Sequence, residues 1–236
     1  MKFCRKDALL GLVSTLPSPV LANIYMHNVL TLWFQYIIAK ECKGECFLVV
    51  YADDFIAGFQ YPWEAERFYE QLRSRMAKFG LELEENKSRI VESGRYLASL
   101  KAKRGESTRL GTFDFLGFTF YCGRTTKGNP WIMPKTSSKK FRQKVKEIKI
   151  WLYNNKEQKL GKLMYMLNVK LVGHYRYYGI SFNSRMISNY KQQVRELLYK
   201  VLNRRSEKKS YTREGFIEMM KYYKLVNPKI YYSLFC

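Results

Sequence analysis

The chain has 236 residues, 47% of them hydrophobic and 16% aromatic, which excludes a disordered chain and is enough to bury one or two cores. Its formal net charge is +22, from 42 Lys and Arg against 20 Asp and Glu, which favours a polyanionic partner. The excess is one-sided. Met1 to Cys122 holds 16 basic and 14 acidic residues, whereas Gly123 to Cys236 holds 26 basic and 6 acidic, so the second half reads as a basic module.

Five cysteines (Cys4, Cys42, Cys46, Cys122 and Cys236) without a secretory signal point to reduced thiols and a cytoplasmic setting. Cys42 and Cys46 lack the partners of a zinc site. No apolar run reaches membrane-spanning length, so no membrane association is expected.

Met1 to Leu16 has no clear period. Ser18-Pro19 then starts a helix, with Ser as cap and Pro at the first helical position. Val20, Leu21, Ile24, Met26, Leu30, Trp33, Phe34 and Ile37 follow, mostly at helical spacing, and predict a buried or half-buried helix. Cys46 to Tyr51 is a strand, Ala52-Asp53-Asp54 breaks it, and Phe55 to Phe59 resumes it: a hairpin with carboxylates at its tip. A helix over Trp63 to Phe79 ends at Gly80. Leu81 to Val91 reads as strand, turn, strand, and Tyr96 to Arg109 as a loop. Phe113 to Tyr121 alternates like a strand, and Trp131 to Met133 pairs back across a Gly-containing turn. A domain boundary is expected near Pro134, giving units 1–134 and 135–236. Four helices follow: Ser138 to Tyr153, Lys159 to Gly179, Ser184 to Arg205, and Thr212 to Tyr223.

Adjacent carboxylates on a tight hairpin suit phosphoryl transfer, in which divalent ions activate a hydroxyl and neutralise charge on phosphate oxygens. Oxygen ligands favour Mg²⁺. A solvent turn alone does not need Phe-Leu-Val-Val before it and Phe-Ile-Ala-Gly-Phe after it.

Tyr51-Ala52-Asp53-Asp54 within Val-Val-Tyr-Ala-Asp-Asp-Phe resembles the central motif of group II intron-encoded reverse transcriptases. Four further blocks fit in the same order: Ser18 to Tyr25; Lys78 to Leu83 with Glu85-Asn86-Lys87-Ser88; Phe113 to Phe118, similar to a primer-grip hairpin; and Leu171 to Tyr178, similar to the thumb or maturase-specific segment. The resemblance implies an α+β fold: a partial palm of antiparallel sheet with helices, then an all-α thumb/maturase domain. It implies Asp53 and Asp54 as catalytic Mg²⁺ ligands, Tyr51 and Ala52 under the primer terminus, Lys87 near the triphosphate, and Leu116 and Gly117 supporting the primer strand. It further implies RNA-directed DNA synthesis, binding of group II intron RNA and of RNA/DNA template–primer, a role in splicing, and a family in which dimers occur.

The family's earlier palm Asp and its fingers have no counterpart in Met1 to Leu16, and Val13-Ser14 stands where a Gln-Gly pair is usual. An impaired polymerase is therefore expected, with a non-catalytic RNA-binding maturase-like module as the alternative. In the basic half, Lys139, Lys140, Arg142, Lys144, Lys146 and Lys149 share a helix with Phe141, Val145, Ile148 and Trp151, so one face packs and the other meets phosphates. Arg176, among His174-Tyr175-Arg176-Tyr177-Tyr178, is a further nucleic-acid candidate, whereas His174 reads as a packing residue.

Overall fold

The computed structural model describes residues 3–5, 18–84, 88–94, 97, 98, 101, 103–105, 110–204 and 211–234, with two compact units, Met1–Glu92 and Ser93–Cys236. The first unit begins with β1 (Phe3–Arg5) and α1 (Ser18–Met26). α1 runs on through two π-helical turns, His27–Thr31 and Phe34–Ile38, into the short α2 (Ala39–Glu41). In each turn a backbone N–H reaches the carbonyl five residues back, Leu32 to His27 and Ala39 to Phe34. The extra residue rotates the apolar stripe, so Ile38 is buried where the straight-helix pattern selects Ile37, which is exposed. The expectation that the whole stripe is covered needs correction. Val20, Leu21 and Ile24 are more than half exposed, because the core of this unit meets the helix only from Met26 and Val29 onward.

β2 (Cys46–Tyr51) and β3 (Asp54–Phe59) form an antiparallel hairpin, one residue longer in β3 than expected. α3 (Pro62–Lys78) starts with Pro in its first turn and buries Glu64, Phe68, Leu72 and Met76, one per turn. Phe68 is the hub: its ring stacks on Trp33 at 5.7 Å and meets Phe59 at 5.1 Å and Phe34 at 5.6 Å. Buried Glu64 accepts the Lys43 N–H at 2.6 Å and so holds the turn that leads into β2. Gly80, with φ 65°, ends the helix, and β4 (Leu81–Leu83) pairs with β1.

Two local expectations are corrected. No second strand forms over Ser88–Val91, where the backbone is irregular and the Ser88 N–H bonds back to the Glu84 carbonyl. The expected loop from Tyr96 to Arg109 is helical at its described residues Leu97, Ala98, Lys101 and Lys103, and Ala98 is buried.

Beyond these helical residues the second unit carries a three-stranded antiparallel sheet, β5 (Phe113–Phe115), β6 (Phe118–Arg124) and β7 (Pro130–Thr136), in the order β5-β6-β7. The single strand read over Phe113 to Tyr121 is therefore two strands around Leu116-Gly117. Four helices follow: α4 (Ser138–Asn154), α5 (Leu160–Tyr178), α6 (Ser184–Leu202) and α7 (Arg213–Tyr222), within three residues of the expected ends. Ser137 caps α4 and Thr212 caps α7 with side-chain oxygens. The core draws Leu163, Leu167, Leu171 and Tyr175 from α5, and Ile187, Tyr190, Val194, Leu198 and Val201 from α6.

The break expected near Pro134 falls inside β7, whereas the compact division lies at Glu92/Ser93. One fully buried side chain bridges the last strand and the helices. Asn183 accepts the Thr136 N–H and donates to the Thr136 hydroxyl and the Tyr178 carbonyl, each at 2.8 Å. No helix among the described residues is long and apolar enough to cross a membrane.

Candidate catalytic hairpin and nucleic-acid interface

The β2–β3 register runs from Cys46↔Phe59 to Tyr51↔Asp54, which leaves Ala52 and Asp53 as a two-residue tip. Loops of this length need a left-handed residue at their first position, and Ala52 takes it, with φ 53°. Glycine is the usual solution, so an alanine there stores local strain of about 1–2 kcal/mol. Cross-strand partners share a face, which places Asp54 beside Tyr51 on the outer side, while Val50 and Phe55 turn into the core. Asp53 is exposed at the tip, Asp54 is half-buried, and Tyr51 presents an exposed ring.

The tip thus offers two hard carboxylates on a rigid turn. That set suits one Mg²⁺ ion completed by water and substrate oxygens. No group of three or more His, Cys, Asp or Glu able to hold a metal ion occurs among the described residues.

In the second unit, Leu116 (φ 49°) and Gly117 (φ 80°) form the tip of the β5–β6 hairpin with both residues left-handed, the type I′ pattern. Three neighbours fix this tip. The Tyr177 hydroxyl donates to the Leu116 carbonyl at 2.9 Å. The Ser137 N–H donates to the Gly117 carbonyl at 3.0 Å. A Cβ on Gly117 would stand 3.2 Å from the Tyr178 hydroxyl. Lys87 lies outside the described residues.

The predicted basic residues lie on α4 and α5. Lys139, Lys140, Arg142 and Lys146 are exposed on α4, and Lys144 is half-buried. Phe141, Val145, Ile148 and Leu152 supply the packed face. Arg176 and Tyr177 are exposed on α5, while His174, Tyr175 and Tyr178 are buried. His174 stacks on Tyr190 with ring centroids 3.7 Å apart. Burial, helped by the Lys144 charge, pushes its pKa down to about 4, so it packs as a neutral ring.

A family model described as reverse transcriptase (RNA-dependent DNA polymerase) matches residues 15–120, and one described as group II intron, maturase-specific domain matches residues 138–223. The chain belongs to the group II intron-encoded reverse transcriptase/maturase family. A search of curated proteins gave no match.

The first match contains both hairpin tips, Ala52-Asp53 and Leu116-Gly117, and the second contains α4 to α7. The anchoring roles of Tyr177, Tyr178 and Asn183 were not read from sequence. Aromatic residues at helical spacing more often fill a core than stack on bases, and nothing in the pattern separates exposed Tyr177 from buried Tyr178.

Proposed function

We propose that this reverse transcriptase/maturase acts in RNA-directed DNA synthesis of the group II intron type. Its helical unit binds intron RNA and RNA/DNA template–primer, and assists splicing by holding the folded RNA. The observation that carries the reading is the strained Ala52 tip, which holds Asp53 and Asp54 next to the open Tyr51 ring. Asp53 and Asp54 would hold Mg²⁺, which supplies Lewis-acid stabilisation of phosphate oxygens when bound. Tyr51 and Ala52 offer an uncrowded platform for the primer terminus. Leu116 and Gly117 support the primer strand from a hairpin tip that Tyr177 and Ser137 hold in place, and Lys87 meets the triphosphate. The basic face of α4, with Arg176, meets phosphates.

Two carboxylates hold an ion less firmly than three, so synthesis by this chain alone is expected to be slow, with RNA binding its principal measurable activity. A second reading, a non-catalytic RNA-binding maturase module, is favoured by the lack, among the described residues, of a group of three or more side chains able to hold a metal ion. Primer extension on an RNA template separates the two. Slow Mg²⁺-dependent synthesis that Asp54→Ala abolishes supports the first reading. Tight RNA binding with no synthesis supports the second. Failure of both activities overturns the proposal.

A further inference from the structure

The basic residues of α4 are not equivalent. Lys139, Arg142, Lys146, Lys149 and Tyr153 recur at alternating steps of three and four residues, so they form one straight line along the helix. Lys140, Lys144 and Glu147 lie on the opposite flank of the packed Phe141, Val145, Ile148 and Leu152 stripe.

On that second flank the side chains are tied to one another, Lys144 through an ion pair and Lys140 through a hydrogen bond. Lys144 Nζ donates to Glu147 Oε2 at 2.8 Å, Gln143 Nε2 donates to Glu147 Oε1 at 2.9 Å, and Lys140 Nζ donates to Gln143 Oε1 at 3.4 Å. The Lys144 hydrogen bond, followed by that from Gln143, holds the Glu147 carboxyl below its ordinary range. On the first flank Lys139, Arg142, Lys146 and Lys149 are all exposed, and none has an ion-pair or hydrogen-bonding partner among the described residues.

The line does not stop at the helix end. The Arg204 guanidinium donates to the Tyr153 hydroxyl at 2.7 Å and lies 5.9 Å from its ring centroid, so Tyr153 seats a fifth cation at the end of the row. At 1.5 Å per residue, Lys139 to Tyr153 spans about 21 Å. Four unpaired cations and a positioned fifth, strung in one row over that length, suit the phosphates of a single phosphodiester backbone.

We propose that Lys139, Arg142, Lys146, Lys149 and Arg204 form a rail for one nucleic-acid backbone, and that Lys140 and Lys144 take no part in it. This rests on the RNA-binding reading above and assigns which charges of that face carry it. Each phosphate contact lowers log K against log salt by about 0.7 to 0.9. The test is the affinity of the full chain for a labelled 20-base-pair RNA–DNA hybrid over a salt series, with far-UV circular dichroism to verify that each variant folds.

The double variant Arg142→Gln/Lys146→Gln is expected to flatten the slope by about 1.4 to 1.8. Lys140→Gln/Lys144→Gln should leave it unchanged, and Tyr153→Phe should flatten it by less than one contact. Equal flattening by the two double variants, or none by the first, overturns the rail while leaving RNA binding intact. Absence of salt-dependent binding by the unsubstituted chain removes the RNA-binding reading and the rail with it.

Discussion

The Tyr177 hydroxyl donates a 2.9 Å hydrogen bond to the Leu116 carbonyl, and so ties the tip of the β5–β6 hairpin to the last turn of α5. The Phe118 ring at the base of the same tip stacks on Tyr177 at 6.0 Å and meets Tyr178 at 5.3 Å. Gly117→Ala must place a Cβ at φ 80° and 3.2 Å from the Tyr178 hydroxyl. It is expected to lower stability by about 1–2 kcal/mol. Tyr177→Phe keeps the stack and loses one exposed hydrogen bond, at a cost of about 1 kcal/mol or less. Urea denaturation of both variants checks the order.

Asn183 is fully buried and makes three hydrogen bonds that join β7 to the end of α5. Asn183→Ala leaves the Thr136 N–H and the Tyr178 carbonyl without this partner. The expected loss is about 2–4 kcal/mol, because an unsatisfied buried group costs more than a neutral hydrogen bond contributes. A loss below about 0.5 kcal/mol in denaturant unfolding would mean that the junction is held mainly by apolar packing.

Ala52 sits at φ 53° at the tip that carries Asp53. Ala52→Gly is expected to change stability by less than about 1 kcal/mol, since relief of strain offsets the entropy of glycine. Ala52→Val puts a β-branched residue in the left-handed region and should cost about 1–3 kcal/mol. Comparable unfolding midpoints for the two variants would argue against a strained tip.

His174 is held at about 4 in the folded chain, below its unfolded value of about 6.5. Between these values the unfolded state binds more protons, so this contribution is complete above about pH 6.5 and is lost as pH falls through about 4. The loss amounts to about 3 kcal/mol over that window. Stability measured from pH 7.5 to 4.5 should fall more steeply for the unsubstituted chain than for His174→Phe. Parallel curves would place the ring in a wetter setting than its stack on Tyr190 implies.

The regular elements were legible because their periods are clean. The strand Cys46 to Tyr51 is a short apolar run broken by an acidic turn, and the helices from Ser138 onward carry apolar residues at spacings of three to four and begin at caps such as Ser137 and Thr212. The hairpin with Asp53 at its tip was legible for the same reason. The π turns were not, because an inserted residue keeps the same composition while turning Ile38 inward in place of Ile37. The Leu116-Gly117 turn was hidden in an alternating pattern, Phe113 to Tyr121, that is equally consistent with one strand or with two. The ties between β5–β7 and the helices include Asn183, a tertiary contact 47 residues away from Thr136 that no local pattern announces.

The most direct measurement takes one preparation of the full chain and one of Asp53→Ala, and follows primer extension on an RNA template together with RNA binding on the same samples. The account predicts slow Mg²⁺-dependent extension that is lost in Asp53→Ala, with RNA affinity and its salt dependence unchanged, because the hairpin tip and the basic helices do separate work. Extension that persists in Asp53→Ala, or RNA binding that falls along with it, would contradict the account.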